Sequence, residues 1–149
     1  MESPFEDQDL DPGIKVYRAI NPKLVNWDRQ NGKGFPEMGS QNFQHMSEGR
    51  ARSMGYAASA MSVVLSHLLE EHDQGPERVL DEFGEDWGIA FFTVADVRSV
   101  KPDVGICEDP TEGAPWHGLV FAKTRPKMKG PESQALRAVA RLIRSPARV

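Results

Sequence analysis

The feature that most constrains the fold is a continuous apolar run at residues 88–94, Gly-Ile-Ala-Phe-Phe-Thr-Val. A run of this length is typical of a strand and is too short to cross a membrane. Because successive side chains of a strand point to opposite faces, an apolar run without alternation predicts packing on both faces. The chain is therefore expected to build a sheet with this segment as a central strand.

A second strand is indicated by the alternation of residues 14–20. Val16 and Ile20 fall on one face together with Arg18, and Tyr17 falls on the other. A guanidinium group costs free energy when it is buried without a partner. Arg18 is therefore expected either to reach an edge of the sheet or to find a partner.

The longest helix is predicted at residues 47–71, with Ser47 as its N-cap. Its apolar residues recur at helical spacing, and they are Met54, Ala57, Ala58, Met61, Val64, Leu65, Leu68 and Leu69. Shorter helices are expected at residues 77–83, 95–100 and 132–143, and short strands at residues 39–44, 104–107 and 117–122.

These elements predict an α+β fold, in which a small mixed or antiparallel sheet of four to five strands packs on one long helix, with a C-terminal basic helix. A chain of 149 residues is expected to form one domain. Residues 1–13 are interpreted as a flexible acidic leader, residues 14–122 as the single α+β domain, and residues 123–149 as a basic C-terminal segment with a helix.

Composition disfavours several classes of protein. The sequence has no apolar run of the roughly 20 residues that a membrane helix needs, and its N-terminus is acidic, so a cytoplasmic location is expected. Cys107 is the single cysteine and is interpreted as a core residue of a strand. No phosphate-binding glycine loop, dinucleotide fingerprint or paired-cysteine motif is present, so no cofactor and no metal ion are expected. His67 and His72 lie about 140° apart on a helix and would not hold one ion.

The candidate catalytic residues are Arg18, His117 and His45. His117, which opens a predicted strand, is either a general acid or base or a structural histidine bonded to a backbone carbonyl. Arg18 either clamps a phosphate or carboxylate or pairs with a carboxylate of the chain itself. His45 lies at the start of the predicted long helix, where polar groups project into loops. These alternatives stay open at the level of sequence.

Four short motifs follow one another along the chain: Val16-Tyr17-Arg18, Ser40-Gln41-Asn42-Phe43, Gly88-Ile89-Ala90 and Pro115-Trp116-His117-Gly118-Leu119-Val120. This order resembles a family of small uncharacterised prokaryotic proteins, a likeness that implies no established activity. More distantly, the chain resembles the ADP-ribosyltransferase and RES-type folds. That resemblance implies that Arg18 holds a pyrophosphate and that Ser40 or Phe43 lines the nicotinamide side. It also implies a late catalytic glutamate, for which Glu108 and Glu112 are the nearest choices.

Charge is divided unevenly along the chain. Residues 123–149 carry eight basic residues and one acidic residue, a net charge of +7, whereas the preceding residues carry a net charge of −11. On a helix, four of the basic residues would form one stripe, namely Arg137, Arg141, Arg144 and Arg148. Such a segment predicts either an anionic partner or a tail that lies across its own acidic body.

These observations favour a small cytosolic, non-catalytic accessory or interaction protein, of a prokaryotic multi-component system, that binds a protein partner or a second copy of the chain through the four arginines. The alternative is a small enzyme that acts on NAD or a nucleotide through Arg18 and His117. A second alternative is a nucleic-acid-binding module that uses the basic tail. The acidic body disfavours this last hypothesis because it would repel a duplex.

Overall fold

A six-stranded sheet forms the centre of the molecule. The computed structural model describes residues 8–30, 35–53, 60–100, 104–124 and 127–148. Within them, every hydrogen-bonded strand pair of this sheet is antiparallel. In spatial order the strands are β6 (Val104–Glu108), β7 (His117–Ala122), β4 (Met61–Leu65), β1 (Lys15–Ile20), β5 (Gly88–Thr93) and β8 (Arg141–Arg144).

The remaining elements are short. β2 (Val25–Gln30) and β3 (Pro36–Met38) form a separate two-stranded sheet. The helices are α1 (Glu48–Ser53), α2 (Ser66–Glu71), α3 (Val94–Ser99) and α4 (Gly130–Val139), and 3-10 helices occur at Pro22–Leu24, Ser40–Phe43 and Pro76–Leu80. The helix predicted at residues 95–100 is confirmed as α3, which begins with a capping box between Thr93 and Asp96.

The two strands with the clearest sequence patterns are confirmed as β1 and β5. β1 presents Val16 and Ile20 to the larger core cluster and Tyr17 and Ala19 to a smaller one. We call these sides the main-core face and the second face of the sheet. β5 lies between β1 and β8 and contributes buried residues to both clusters, as expected for a central strand.

The prediction of one long helix at residues 47–71 is wrong. The helix begins where expected, because Oγ of Ser47 accepts a hydrogen bond from the backbone N of Arg50, and its described part is α1, Glu48–Ser53. Its predicted residues Met54, Ala57 and Ala58 lie outside the described residues. Residues 61–65 instead form β4, paired with β1 and β7, and β4 is followed directly by α2.

A tertiary effect explains this error. Met61, Val63 and Leu65 are buried in the main core, whereas Ser62 and Val64 between them are partly exposed, so the segment alternates as a strand does. The hydrogen bonds that β4 makes to two neighbouring strands outweigh the helical spacing of its apolar residues. A period of 3.6 and a period of 2 cannot be separated over five residues.

Two further element predictions are corrected. The helix expected at residues 132–143 ends at Val139, Ala140 is extended, and the following residues form β8. β8 pairs with β5 and so supplies hydrogen-bond partners to a strand edge that would otherwise be open. The strand expected at residues 39–44 is instead the 3-10 helix Ser40–Phe43.

The fold class is α+β, as predicted, but the sheet is larger than expected. Two of its six strands, β4 and β8, come from segments predicted as helix. Residues 8–13, expected within the leader, contact the domain, since Leu10 is buried in the main core and the backbone N of Ala95 donates to the carbonyl of Pro12. None of the helices described is long and apolar enough to cross a bilayer.

Candidate functional site

Arg18 occupies a gap between β1 and β4. The two strands pair at Val16 with Leu65 and at Tyr17 with Val64, and no pairing follows beyond these positions in the described residues. There the Arg18 side chain donates from Nη1 to the carbonyl oxygen of Ser62 on β4, at 2.8 Å. The guanidinium group therefore bonds a carbonyl oxygen that would accept from a backbone N–H of β1 if the pairing of β1 with β4 continued.

The second acceptor for Arg18 is the carbonyl oxygen of Asn42, which Nε reaches at 2.8 Å. The Asn42 side chain is buried and fixes the 3-10 helix Ser40–Phe43 in place. It accepts from the backbone N of Asn21 at 2.8 Å and donates to the carbonyls of Leu24 at 2.8 Å and Gly39 at 3.2 Å. Arg18 is thus held by two rigid backbone carbonyls and not by the carboxylate that was one of the sequence alternatives.

The environment of Arg18 lowers its pKa. Burial, with a smaller contribution from the positive charge of Arg50, lowers the pKa of Arg18 to about 10. The group therefore remains charged at neutral pH. Arg50 forms an ion pair with Glu82, at 3.9 Å between exposed side chains, and a pair of this kind contributes little free energy.

His117 forms a pair with Asp109 at the start of β7. Its Nδ1 lies 2.9 Å from Oδ2 of Asp109 and 3.1 Å from the backbone oxygen of the same residue. The backbone N of Asp109 in turn donates to the carbonyl of His117 at 2.9 Å. Two acceptors beside Nδ1 fix the proton on that atom and leave Nε2 as the acceptor of a neutral imidazole. Both sequence alternatives for His117, a carbonyl-bonded histidine and an oriented base, are compatible with this geometry.

A second histidine–carboxylate pair, whose carboxylate belongs to the residue before Asp109 in the chain, was missed in the sequence. Nε2 of His67, at the start of α2, contacts Oε2 of Glu108 at the end of β6. His67 and Glu108 are 41 residues apart. The pair follows from the strand order, because β4 and β6 both lie next to β7 and run antiparallel to it. The C-terminal ends of β4 and β6 therefore lie at the same end of the sheet as the start of β7. Within the part of the chain described, no group of three His, Cys, Asp or Glu side chains is arranged to hold a metal ion.

Arg18 and His117 do not share a site. His117 pairs with Val64, and Val64 pairs with Tyr17, so these three side chains project from the second face. Arg18 follows Tyr17 directly and projects from the opposite, main-core face. The two residues therefore cannot act together on one substrate group across the sheet.

The other residues implied by the resemblance to ADP-ribosyltransferases are dispersed. Phe43 is fully buried and packs against the ring of Phe92 in the main core. Glu108 is occupied by His67, and Glu112 lies in an exposed turn. Nδ1 of His45, the third candidate, lies 2.6 Å from the carbonyl oxygen of Met46. His45 follows the 3-10 helix that contacts Arg18 and is partly exposed.

The four arginines of the C-terminal segment do not form one helical stripe. Arg137 lies on α4 and pairs with Glu37, at 3.3 Å. Arg144 donates from Nη2 to the carbonyl of Glu85, and Arg148 lies over the ring of Trp27. Arg141 is exposed on β8. Part of the tail therefore lies across the body of the molecule, and Arg141 and Arg144 belong to an edge strand.

β8 contains a bulge. Ala90 of β5 pairs with Leu142 and Ile89 pairs with Arg144, so Ile143 is an extra residue in the ladder. The Ile143 side chain is 46% exposed, the largest value among the exposed large hydrophobic residues described. Leu142 points into the main core, whereas Arg141, Ile143 and Arg144 are exposed. We call these three exposed residues the β8 surface.

Comparison with known proteins finds no matching family model, no matching curated protein and no matching solved structure. The resemblances drawn from the short motifs therefore remain hypotheses. The functional assignment therefore depends on the geometry of the described residues themselves.

Proposed function

We propose that the protein is a non-catalytic accessory protein that binds an acidic protein partner through the β8 surface. The observation that carries this proposal is the bulge at Ile143, which places an exposed apolar side chain between two arginines at the edge of the sheet. An apolar side chain in the centre of an interface contributes affinity, and surrounding charges contribute orientation and association rate.

The charges of the β8 surface favour an acidic partner over a second copy of the chain. Two copies that met edge to edge at β8 would bring Arg141 and Arg144 close to the same arginines of the other copy, and like charges at an interface are repulsive. A partner that carries Asp or Glu on both sides of an apolar pocket would complement the surface.

The partner is expected to contact side chains and not to add a strand to the sheet. A bulge bends the strand and interrupts the regular spacing of its hydrogen-bonding groups. Strand addition requires that regular spacing over several residues. The β8 surface therefore fits a folded surface or a helix of the partner better than an extended peptide.

A displayed library of helical peptides with random surface residues tests this proposal. Peptides retained by the wild-type protein are expected to be enriched in Asp and Glu around an apolar residue. Ile143→Ser removes the apolar contact, and Arg141→Glu reverses a charge that makes no hydrogen bond within the described residues. Lys127→Glu is the matched control, because it makes the same charge change at an exposed residue before α4.

The proposal is supported if the selected peptides no longer bind Ile143→Ser and Arg141→Glu but still bind Lys127→Glu. Enrichment without acidic residues, or equal loss in all three variants, contradicts it. Light scattering is the companion measurement and shows whether the protein forms dimers as its concentration rises. Dimers of the wild-type protein that are absent in Ile143→Ser would assign the β8 surface to a second copy of the chain and would contradict the proposal of an acidic partner.

The nucleotide-enzyme hypothesis is less well supported, because Arg18 and His117 project from opposite faces of the sheet. Nucleic-acid binding through the tail is also less well supported, since Arg137 pairs with Glu37 and the residues before the tail carry a net charge of −11, which would repel a duplex. Neither hypothesis explains the exposed Ile143.

A further inference from the structure

The second face of the sheet is only partly covered at the corner where β1, β5 and β8 meet. Elsewhere on this face, Leu69 of α2 and Val79 of the 3-10 helix Pro76–Leu80 are buried in the smaller core cluster. Phe91 of β5 lies on the same face, packs against the ring of Tyr17 at 6.4 Å between centroids, and is only partly buried. Part of the Phe91 side chain is therefore open to a partner.

Two cations lie on either side of Phe91. Tyr17 pairs with Phe91, and Lys15 precedes Tyr17 by two residues, so Lys15 projects from the same face. Its Nζ lies 5.0 Å from the centroid of the Phe91 ring. On the other side of β5, Arg141 of β8 pairs directly with Phe91, and residues opposite each other in an antiparallel ladder share a face. We call Lys15, Phe91 and Arg141 the corner patch.

The charges of the corner patch face solvent. Lys15 and Arg141 are both exposed, and in the part of the chain that the structure describes neither forms an ion pair with a carboxylate. The face of the Phe91 ring attracts the ammonium group of Lys15 and so favours one position of that long side chain. An acidic group of a partner would therefore meet two positioned cations beside an apolar ring.

The corner patch continues the β8 surface, because Arg141 belongs to both. Lys15 and Arg141 lie two strand spacings apart and are offset by two residues along the strands, which separates their Cα atoms by about 12 Å. Two turns of an α-helix span about 11 Å. A partner helix with two acidic residues two turns apart, and an apolar residue between them, matches this arrangement.

We propose that the acidic partner lies across the second face of the sheet, with acidic side chains on Arg141 and Lys15 and an apolar side chain on Phe91. This inference rests on the proposed function and adds Lys15 and Phe91 as residues that determine which partner is accepted. The main-core face is covered by α3 and α4, whose residues Val97 and Leu136 are buried in its cluster. The partner therefore crosses β8, β5 and β1 on the second face.

Fluorescence anisotropy with one acidic peptide selected from the helical library tests this orientation. Lys15→Glu reverses the charge of an exposed residue and is expected to weaken binding about fivefold. Lys23→Glu is the matched control, because it makes the same change at an exposed residue that follows the other end of β1, and it should alter the affinity by no more than about twofold. Circular dichroism checks the fold of each variant. If Lys15→Glu does not fold, Lys15→Gln takes its place, since it removes the charge and keeps a polar side chain.

A charge swap identifies the contact directly. A peptide in which one acidic residue is replaced by Lys is expected to bind the wild-type protein more weakly and to recover affinity for Lys15→Glu. Recovery at no peptide position overturns the orientation, and so does equal weakening by Lys15→Glu and Lys23→Glu, which indicates unspecific attraction. If Lys15→Glu binds as the wild-type protein does while Ile143→Ser binds more weakly, the orientation is wrong and the proposed function stands. If neither variant weakens binding, or if the library yields no acidic peptide, both proposals are wrong.

Discussion

A double-mutant cycle between Leu65 and Gly118 tests the position of β4 in the sheet. Leu65 is fully buried in the main core, and a Cβ atom on Gly118 of the neighbouring β7 would lie 2.8 Å from Cδ1 of Leu65. Leu65→Ala removes buried methyl groups and is expected to destabilise by about 2–5 kcal/mol. Gly118→Ala inserts a methyl group where Leu65 already lies, which is expected to cost about 1–3 kcal/mol.

The two changes are expected to compensate in part. In the double variant the new methyl group of residue 118 enters the space that Leu65 has left, so the summed loss of stability should exceed the measured loss by about 1 kcal/mol or more. Some cost remains, because the same Cβ atom would also lie 3.0 Å from the carbonyl oxygen of Cys107. Urea unfolding followed by circular dichroism gives the four free energies of unfolding.

A control cycle pairs Gly118→Ala with Leu136→Ala. Leu136 is equally buried but lies on α4, and it is not among the atoms that a Cβ on Gly118 would meet. This pair is expected to be additive within about 0.5 kcal/mol. If the cycle of Leu65 with Gly118 is also additive, the two residues are not neighbours, and the strand assignment of residues 61–65 would be refuted.

Four further outcomes follow from the structure. Deletion of residues 131–149, which removes buried side chains of α4 and β8, is expected to abolish the cooperative unfolding transition seen by circular dichroism. Asn42→Ala leaves buried backbone groups without partners and should cost about 2–4 kcal/mol in urea unfolding. Thr93→Ala removes the cap of α3 and should lower the free energy of unfolding by about 1 kcal/mol. Burial and the charge of Glu70 raise the pKa of Tyr17, so absorbance at alkaline pH should show one tyrosine ionising above the usual value of 10.0. Because the folded state holds that proton more tightly, the free energy of unfolding should fall as pH rises beyond the pKa of tyrosine in the unfolded chain.

The sequence predicts the strands whose pattern is set by burial. Residues 88–94 have apolar side chains on both faces and residues 14–20 alternate, and both patterns arise because the segments lie inside the sheet. The face on which Arg18 lies was predicted for the same reason. Its need for a partner follows from elementary electrostatics, although the partners are backbone carbonyls, which no side-chain pattern can reveal.

Segments whose conformation depends on distant neighbours were not predicted. β4 and β8 are strands because they lie beside β7, β1 and β5, and their own residues fit a helical period equally well. The pairing of His67 with Glu108 also depends on strand order, since the two residues meet only when β6 and β4 lie on either side of β7. The bulge at Ile143 is a property of the pairing between β8 and β5 and leaves no mark in the sequence.

The most direct test of the proposed function is the affinity of one selected acidic peptide, measured by fluorescence anisotropy, for the wild-type protein and two variants. The proposal predicts that Ile143→Ser weakens binding by about tenfold, whereas Lys127→Glu changes it by no more than about twofold. It also predicts weaker wild-type binding at high salt, because the arginines of the β8 surface are exposed. Equal affinities of the wild-type protein and Ile143→Ser would contradict the assignment of the β8 surface as the binding site.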